Sequence, residues 1–141
     1  MTPEQIKLIK LTFAQVLTIK DQAGRLFYDR LFTIAPEVRP MFKGDIDVQA
    51  RKLMDTLALA VGMLRDTPSL IVTLETLARR HVAYGVKDEH YDHVGAALIW
   101  TLEQGLGAVF TREAREAWNA LYTTVATVMR RAAAGGSVKA A

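Results

Sequence analysis

The residue with the most chemistry to offer is His81. It follows Leu70, Leu74 and Leu77 at spacings of four, three and four, so its imidazole stands in line with the apolar face of a helix. A histidine so placed is either satisfied within a core or ligates a metal, and spacing alone leaves both open. Three other segments carry groups that could face it. Gln49 and Leu53 sit one turn apart and share a face, Tyr28 directly follows Phe27 in an apolar stretch, and Phe42 follows a bend containing Pro36 and Pro40. A tyrosine and a glutamine opposite a histidine across an apolar slot suit a flat hydrophobic ligand, with the histidine below it and two hydrogen-bond formers above.

The remaining candidates read more plainly. His90 and His93 are three apart on one helix face but lack a third ligand, so they are expected at the surface. Arg79, Arg80 and Lys52 suit either a solvated helix face or an anionic partner. Trp118 and Tyr122, one turn apart, are expected to pack the last helix against the side that carries His81. There are no cysteines, which excludes disulfides, iron–sulfur clusters, thiolate zinc sites and a cysteine nucleophile.

The elements that must position these groups all read at the helical period, so the fold class is all-α. Thr2, Pro3 and Gln5 form a start signal for a helix that carries Ile6, Ile9, Phe13, Val16 and Leu17 and ends near Lys20. A second helix, from about Asp21, stacks Leu26, Phe27, Leu31 and Phe32 and stops before Pro36. A third, from about Asp47, carries Leu53, Leu57, Val61 and Leu64. Thr67 is expected to cap the helix of His81, with Pro68 in its first turn and Gly85 at its end. Asp88 is expected to cap the next, whose stripe is Tyr91, Val94, Leu98, Leu102 and Leu106, stopped by Gly107. The last begins at Thr111. Residues 1–130 thus form one domain, and the Ala- and Gly-rich residues 131–141 read as a disordered tail.

The chain has 141 residues, half of them hydrophobic, enough for a single core. No apolar run reaches the roughly 20 residues of a membrane helix and no signal segment opens the chain, so a cytoplasmic protein without membrane insertion is expected. The net charge is +3, but removing Arg130, Arg131 and Lys139 leaves 15 basic residues against 15 acidic ones. The charges are interspersed, which argues against nucleic acid.

In combination these motifs resemble the globins, specifically the single-domain bacterial globins related to the haem domain of flavohaemoglobins. The resemblance runs from Thr2 to Met129. It is carried by Phe27-Tyr28, Leu31-Phe32, Pro36-Glu37-Val38-Arg39-Pro40-Met41-Phe42, Gln49 with Leu53, His81, and His90-Tyr91. It implies a three-over-three helical sandwich around one haem b (iron protoporphyrin IX). His81 would be the iron ligand, Phe42 would pack on the haem plane, and Tyr28 with Gln49 would be the hydrogen-bond pair that meets O2. Leu53, Leu57, Leu77, Val86, Tyr91, Val94 and Leu98 would complete the pocket, and Lys52 would pair with a propionate.

The implied function is reversible binding of O2, CO and NO at an iron able to stay five-coordinate, with oxidation of nitric oxide to nitrate. A non-enzymatic O2 carrier or store that supplies a partner oxidase shares every pocket residue and stays open beside it. Flavohaemoglobins carry a flavin and nicotinamide reductase domain after the globin. None is seen here, so an external electron donor or reductase is expected, with the protein a monomer or weak homodimer. The family also sets a tyrosine and a glutamate around the ligand histidine. Tyr91 matches the tyrosine, but Ala133 stands at the glutamate's place, which weakens the case for a strongly donating, peroxidase-like histidine.

Overall fold

The computed structural model describes residues 1–135. Six α-helices span Pro3–Leu17 (α1), Lys20–Ile34 (α2), Ile46–Gly62 (α3), Thr67–Ala83 (α4), Asp88–Leu106 (α5) and Arg112–Ala133 (α6), with short 3-10 turns at Pro36–Met41 and Gly107–Val109. There are no strands among the described residues. Thr2 accepts from the Gln5 amide while the Gln5 side chain returns to the Thr2 amide, the reciprocal capping pair expected from the sequence. Thr111 caps α6 in the same way through the amide of Ala114.

Two starts differ from expectation. Asp66, not Thr67, caps α4: its carboxylate accepts from the Ser69 amide at 3.3 Å and the Ser69 hydroxyl at 2.7 Å, and Thr67 is already helical. Asp88 likewise lies inside α5, where Lys87 stands at the cap. The Nδ1 of His90 closes that end by accepting the Lys87 amide at 2.9 Å. The histidine is therefore 5% exposed rather than at the surface. Gly85 and Gly107 end α4 and α5 with φ of 88° and 56°, a backbone that only glycine adopts freely. Helix α6 continues through Ala133, past the expected domain edge at 130; residues 136–141 of the expected tail lie outside the described residues.

Helices α1, α3 and α4 form one layer and α2, α5 and α6 the other, the three-over-three globin arrangement. Between the layers α2 packs on α3, α1 on α6 and α4 on α6. Trp118 is completely buried. Its indole Nε1 donates to Thr12 Oγ1 at 2.9 Å, and its ring meets Phe13 at 6.1 Å, so it locks α6 to α1 rather than to the side of His81. Thr12 passes its own hydroxyl proton to the Leu8 carbonyl at 2.7 Å, so no polar atom of this buried contact is orphaned.

Helices α3 and α4 make little close contact with each other, although only residues 63–66 separate them. Thr73 Oγ1 reaches Met63 Sδ at 3.5 Å near the turn, while α3 packs on α2 and α4 on α6. The slot expected from the sequence falls between these two helices.

Candidate functional site

The apolar residues expected to line the slot are half-buried against the core: Leu53 and Leu57 from α3, Leu77 from α4, Val86 from the following turn, Val94 from α5 and Phe42 after the first 3-10 turn. Leu98 and Tyr91, expected with them, are buried on α5. Surface recesses occur between α2 and α3 around Arg25 and Asp47 and between α1 and α3 around Phe13 and Ala58.

On its α4 side stands His81, half-buried. Its Nδ1 lies 2.7 Å from the Leu77 carbonyl, one turn back. A carbonyl oxygen can only accept, so Nδ1 carries the proton and Nε2 keeps a free lone pair. The Val86 amide donates to the His81 carbonyl at 3.0 Å, which folds the turn after α4 back toward the imidazole.

In the first turn of α5 the Tyr91 hydroxyl is buried without a hydrogen-bond partner among the described residues, and burial pushes its pKa up. The Tyr122 hydroxyl donates to the Tyr91 main-chain carbonyl, holding α6 against α5. Arg130 lies over the Tyr91 ring at 5.5 Å and is ion-paired to Asp88 at 3.1 Å and Asp92 at 2.7 Å. Its partners are far away in sequence, on α5. Ala133, half-buried in the last turn of α6, brings no carboxylate.

On the opposite side Tyr28 is set among aromatic rings, with centroids at 5.0 Å to Phe27, 5.8 Å to Phe32 and 5.2 Å to Phe42. Tyr28 and Phe42 therefore meet in one cluster. The Tyr28 hydroxyl makes no hydrogen bond to any described residue, and burial raises its pKa to about 12. One turn back on the same face, Gly24 lets α3 approach so closely that a Cβ there would lie 2.7 Å from the Ala50 Cβ. Gln49 precedes Ala50 at that crossing. Gln49 is half-buried with its amide uncommitted, and Leu53 and Leu57 continue its stripe. Arg25 fixes the start of α3 by pairing with Asp47 at 2.9 Å, which holds that carboxyl below its usual range. Lys52 is exposed at the rim without an ion partner among the described residues.

Neither His90 nor His93 belongs to a metal cluster. His90 is spent on the α5 start, and His93 faces Glu37 at 3.9 Å across to the first 3-10 turn. No group of three metal-ligating side chains occurs among the described residues. The role of His90 in closing the α5 start was legible in its place three residues after Lys87, a signal masked by the more familiar Asp88.

The six-helix fold is that of a globin, and the comparisons agree. The Globin family profile matches residues 25–129, and the chain belongs to the globin family. It is 32% identical over 133 residues to the flavohemoprotein of Bordetella pertussis, covering 92% of this chain and 33% of that one. With the flavohemoprotein of Vibrio cholerae it shares 28% identity over 131 residues, 91% of this chain and 33% of the relative. The chain thus spans about a third of the length of these relatives. Among solved structures, a bacterial globin from Campylobacter jejuni superposes with a TM-score of 0.82 at 26% identity, covering 95% of this chain and 97% of the other.

The residues present fit a haem. A planar apolar group would suit the half-buried apolar side chains of α3 and α4, and Nε2 of His81 is free to ligate. The Tyr91 hydroxyl is a buried polar atom left without a partner among the described residues.

Proposed function

We propose that the slot holds haem b and that the protein binds O2, CO and NO there, oxidising nitric oxide to nitrate with an electron from an external donor. The observation that carries this reading is a half-buried histidine with a free Nε2, in a chain of the globin family, on a helix that makes little close contact with the one before it. When bound, haem supplies a redox-active iron with one face for a diatomic gas. The chain's own groups supply the rest.

His81 offers its Nε2 lone pair while Leu77 holds the Nδ1 proton and so fixes the tautomer. Tyr28 keeps its proton throughout the physiological range, because burial places its pKa at about 12, and so presents a donor rather than a charge. Gln49 adds a second uncommitted donor. Leu53 and Leu57 exclude water, which strengthens both hydrogen bonds and limits oxidation. Phe42 provides an aromatic face for the macrocycle, Leu77, Val86, Val94 and Leu98 an apolar floor, and Lys52 a cation for a propionate at the rim. In nitric oxide oxidation, NO and O2 combine with one electron to give nitrate, so each turnover requires one electron from the donor.

A non-enzymatic O2 carrier or store is the second reading, and one observation favours it. The only partner of His81 Nδ1 is a neutral carbonyl, and Ala133 contributes no carboxylate, so the imidazole donates little charge.

The test is the visible spectrum of the haem-loaded protein, ferric, then reduced with dithionite, then with CO. A histidine-ligated ferrous spectrum that shifts with CO, and is lost in His81→Ala unless imidazole is added, is expected. A wild-type protein that takes up no stoichiometric haem overturns the reading. Tyr28→Phe is expected to speed O2 release by the worth of one hydrogen bond, about 1–2 kcal/mol or roughly 5- to 30-fold. Repeated nitrate production with an added reductase separates the enzyme from the carrier.

A further inference from the structure

The recess between α1 and α3 has a volume of about 290 Å³ and shares no residue with the slot. Its floor is fixed core: Phe13 and Val61 are buried, and the Phe13 ring is braced by Trp118. Its walls are Ala14 and Leu17 from α1 and Ala58 and Gly62 from α3, small residues apart from Leu17, which is 42% exposed. Lys20, three residues beyond Leu17, pairs at 2.8 Å with Asp55, three residues before Ala58. That pair fixes the register. The two helices run antiparallel along the recess, with Leu17 and Ala58 toward the ion pair and Lys10 at the far end. From Lys10 to Leu17 is about 10 Å of helix.

Lys10 is the one polar side chain of the lining, and it is exposed with no ion-pair partner among the described residues. An apolar trough bounded at one end by a satisfied ion pair and at the other by a free ammonium complements a molecule with an alkyl tail and an anionic head. Size selects a single chain. The volume lies at the small end of ligand sites, which run from about 300 to 1,000 Å³. A docked helix, about 10 Å across, would fill roughly 800 Å³ over the same length and stand mostly outside.

We propose that this recess binds one medium-chain fatty acid, its carboxylate on the Lys10 ammonium and its tail on Phe13 and Val61. The site does not depend on haem in the slot, and no bond is made or broken in it.

The probe is decanoate, kept below the concentration at which it self-assembles, titrated into the full chain and followed by amide chemical shifts. Saturating shifts are expected at Ala14, Leu17, Ala58 and Gly62. A Cβ on Gly62 would meet nothing within 4 Å, and a glycine inside a helix gains propensity on replacement, so Gly62→Leu should fold and fill the trough. Its decanoate affinity is expected to fall about ten-fold or more. Lys10→Glu replaces attraction by repulsion at an exposed site. Decanoate should weaken about five-fold there, while decyltrimethylammonium, with the same tail and the opposite head, should tighten.

Decanoate that binds both variants as tightly as wild type overturns the proposal, as do shifts centred on Leu77, Val86 and Val94, which would place the ligand in the slot. Anionic phospholipid vesicles that shift the groove amides where monomeric decanoate does not would make the occupant a membrane. Sedimentation of the ligand-free chain as a dimer that Gly62→Leu dissociates would make it a second copy. Either result also overturns the proposal.

Discussion

Tyr91 and Tyr122 sit beside each other with opposite hydrogen-bonding fates. The Tyr122 hydroxyl donates to the Tyr91 carbonyl, while the Tyr91 hydroxyl is buried with no partner among the described residues. Removing an unpaired buried hydroxyl relieves its desolvation penalty, whereas removing a paired one forfeits its hydrogen bond. In the haem-free protein, Tyr91→Phe is therefore expected to leave stability unchanged or raise it by up to about 1 kcal/mol, and Tyr122→Phe to lower it by about 1–2 kcal/mol. Urea midpoints of the two variants check this, and a Tyr91→Phe loss as large as that of Tyr122→Phe would show that Tyr91 has a partner after all. The sequence made the identity and rank of such residues readable, since His81, Tyr28, Gln49 and Phe42 stand on the elements their spacing implied. It did not show what satisfies them. That Leu77 holds His81, that His90 closes a helix start, and that Arg130 crosses to Asp88 and Asp92 follow from three-dimensional neighbours that no periodicity encodes.

At the scale of elements, the site depends on how closely α2 and α3 cross. A Cβ on Gly24 would lie 2.7 Å from that of Ala50, a distance real structures do not tolerate, so Gly24→Ala must push α3 away from α2. The expected cost is about 1–3 kcal/mol, as for other overpacked contacts, because backbone and a short side chain meet there and neither can swing aside. Both residues lie within helices, so exchanging them keeps the helix-propensity balance. The double variant Gly24→Ala with Ala50→Gly should then recover most of the loss, and a double-mutant cycle measures the coupling. If the two substitutions simply add, the crossing is not the reason for glycine at position 24. The six helices themselves were legible because caps, prolines and glycines mark their ends in the sequence. The close crossing was not, because a glycine inside a helical pattern looks the same whether it faces solvent or another backbone. The direction of Trp118 was hidden for the same reason: its spacing said buried, and only the packing of α6 on α1 said against what.

Across the whole molecule, three buried phenols tilt stability toward low and neutral pH. Burial raises the pKa of Tyr28 to about 12 and those of Tyr91 and Tyr122 above the usual value of 10, in each case chiefly by desolvating the tyrosinate. A folded-state pKa above the unfolded one means that the unfolded chain releases its proton first. The stability these groups contribute is thus complete below about pH 10 and is lost as pH climbs through the folded values. For Tyr28 the two-unit shift corresponds to roughly 2–3 kcal/mol at the top of that range. The carboxylates give no matching acid transition of this size: Asp47 and Glu103 are held low by Arg25 and Arg115, but at the surface, where solvent screens the pairs. Urea midpoints of the haem-free protein should accordingly stay level up to about pH 10 and fall steeply from there toward about pH 12. Tyr28→Phe should flatten that fall while leaving the neutral-pH midpoint much less affected, because it removes the titrating proton and keeps the ring packed on Phe27, Phe32 and Phe42. Ultraviolet titration of tyrosinate supplies the independent readout, with the buried phenols ionising only as the fold is lost. A midpoint that does not move through this range, or one that moves equally in Tyr28→Phe, would mean that the phenol on the α2 side of the slot is hydrated, and the dry hydrogen-bond donor it is assigned to be would no longer be available to a bound gas.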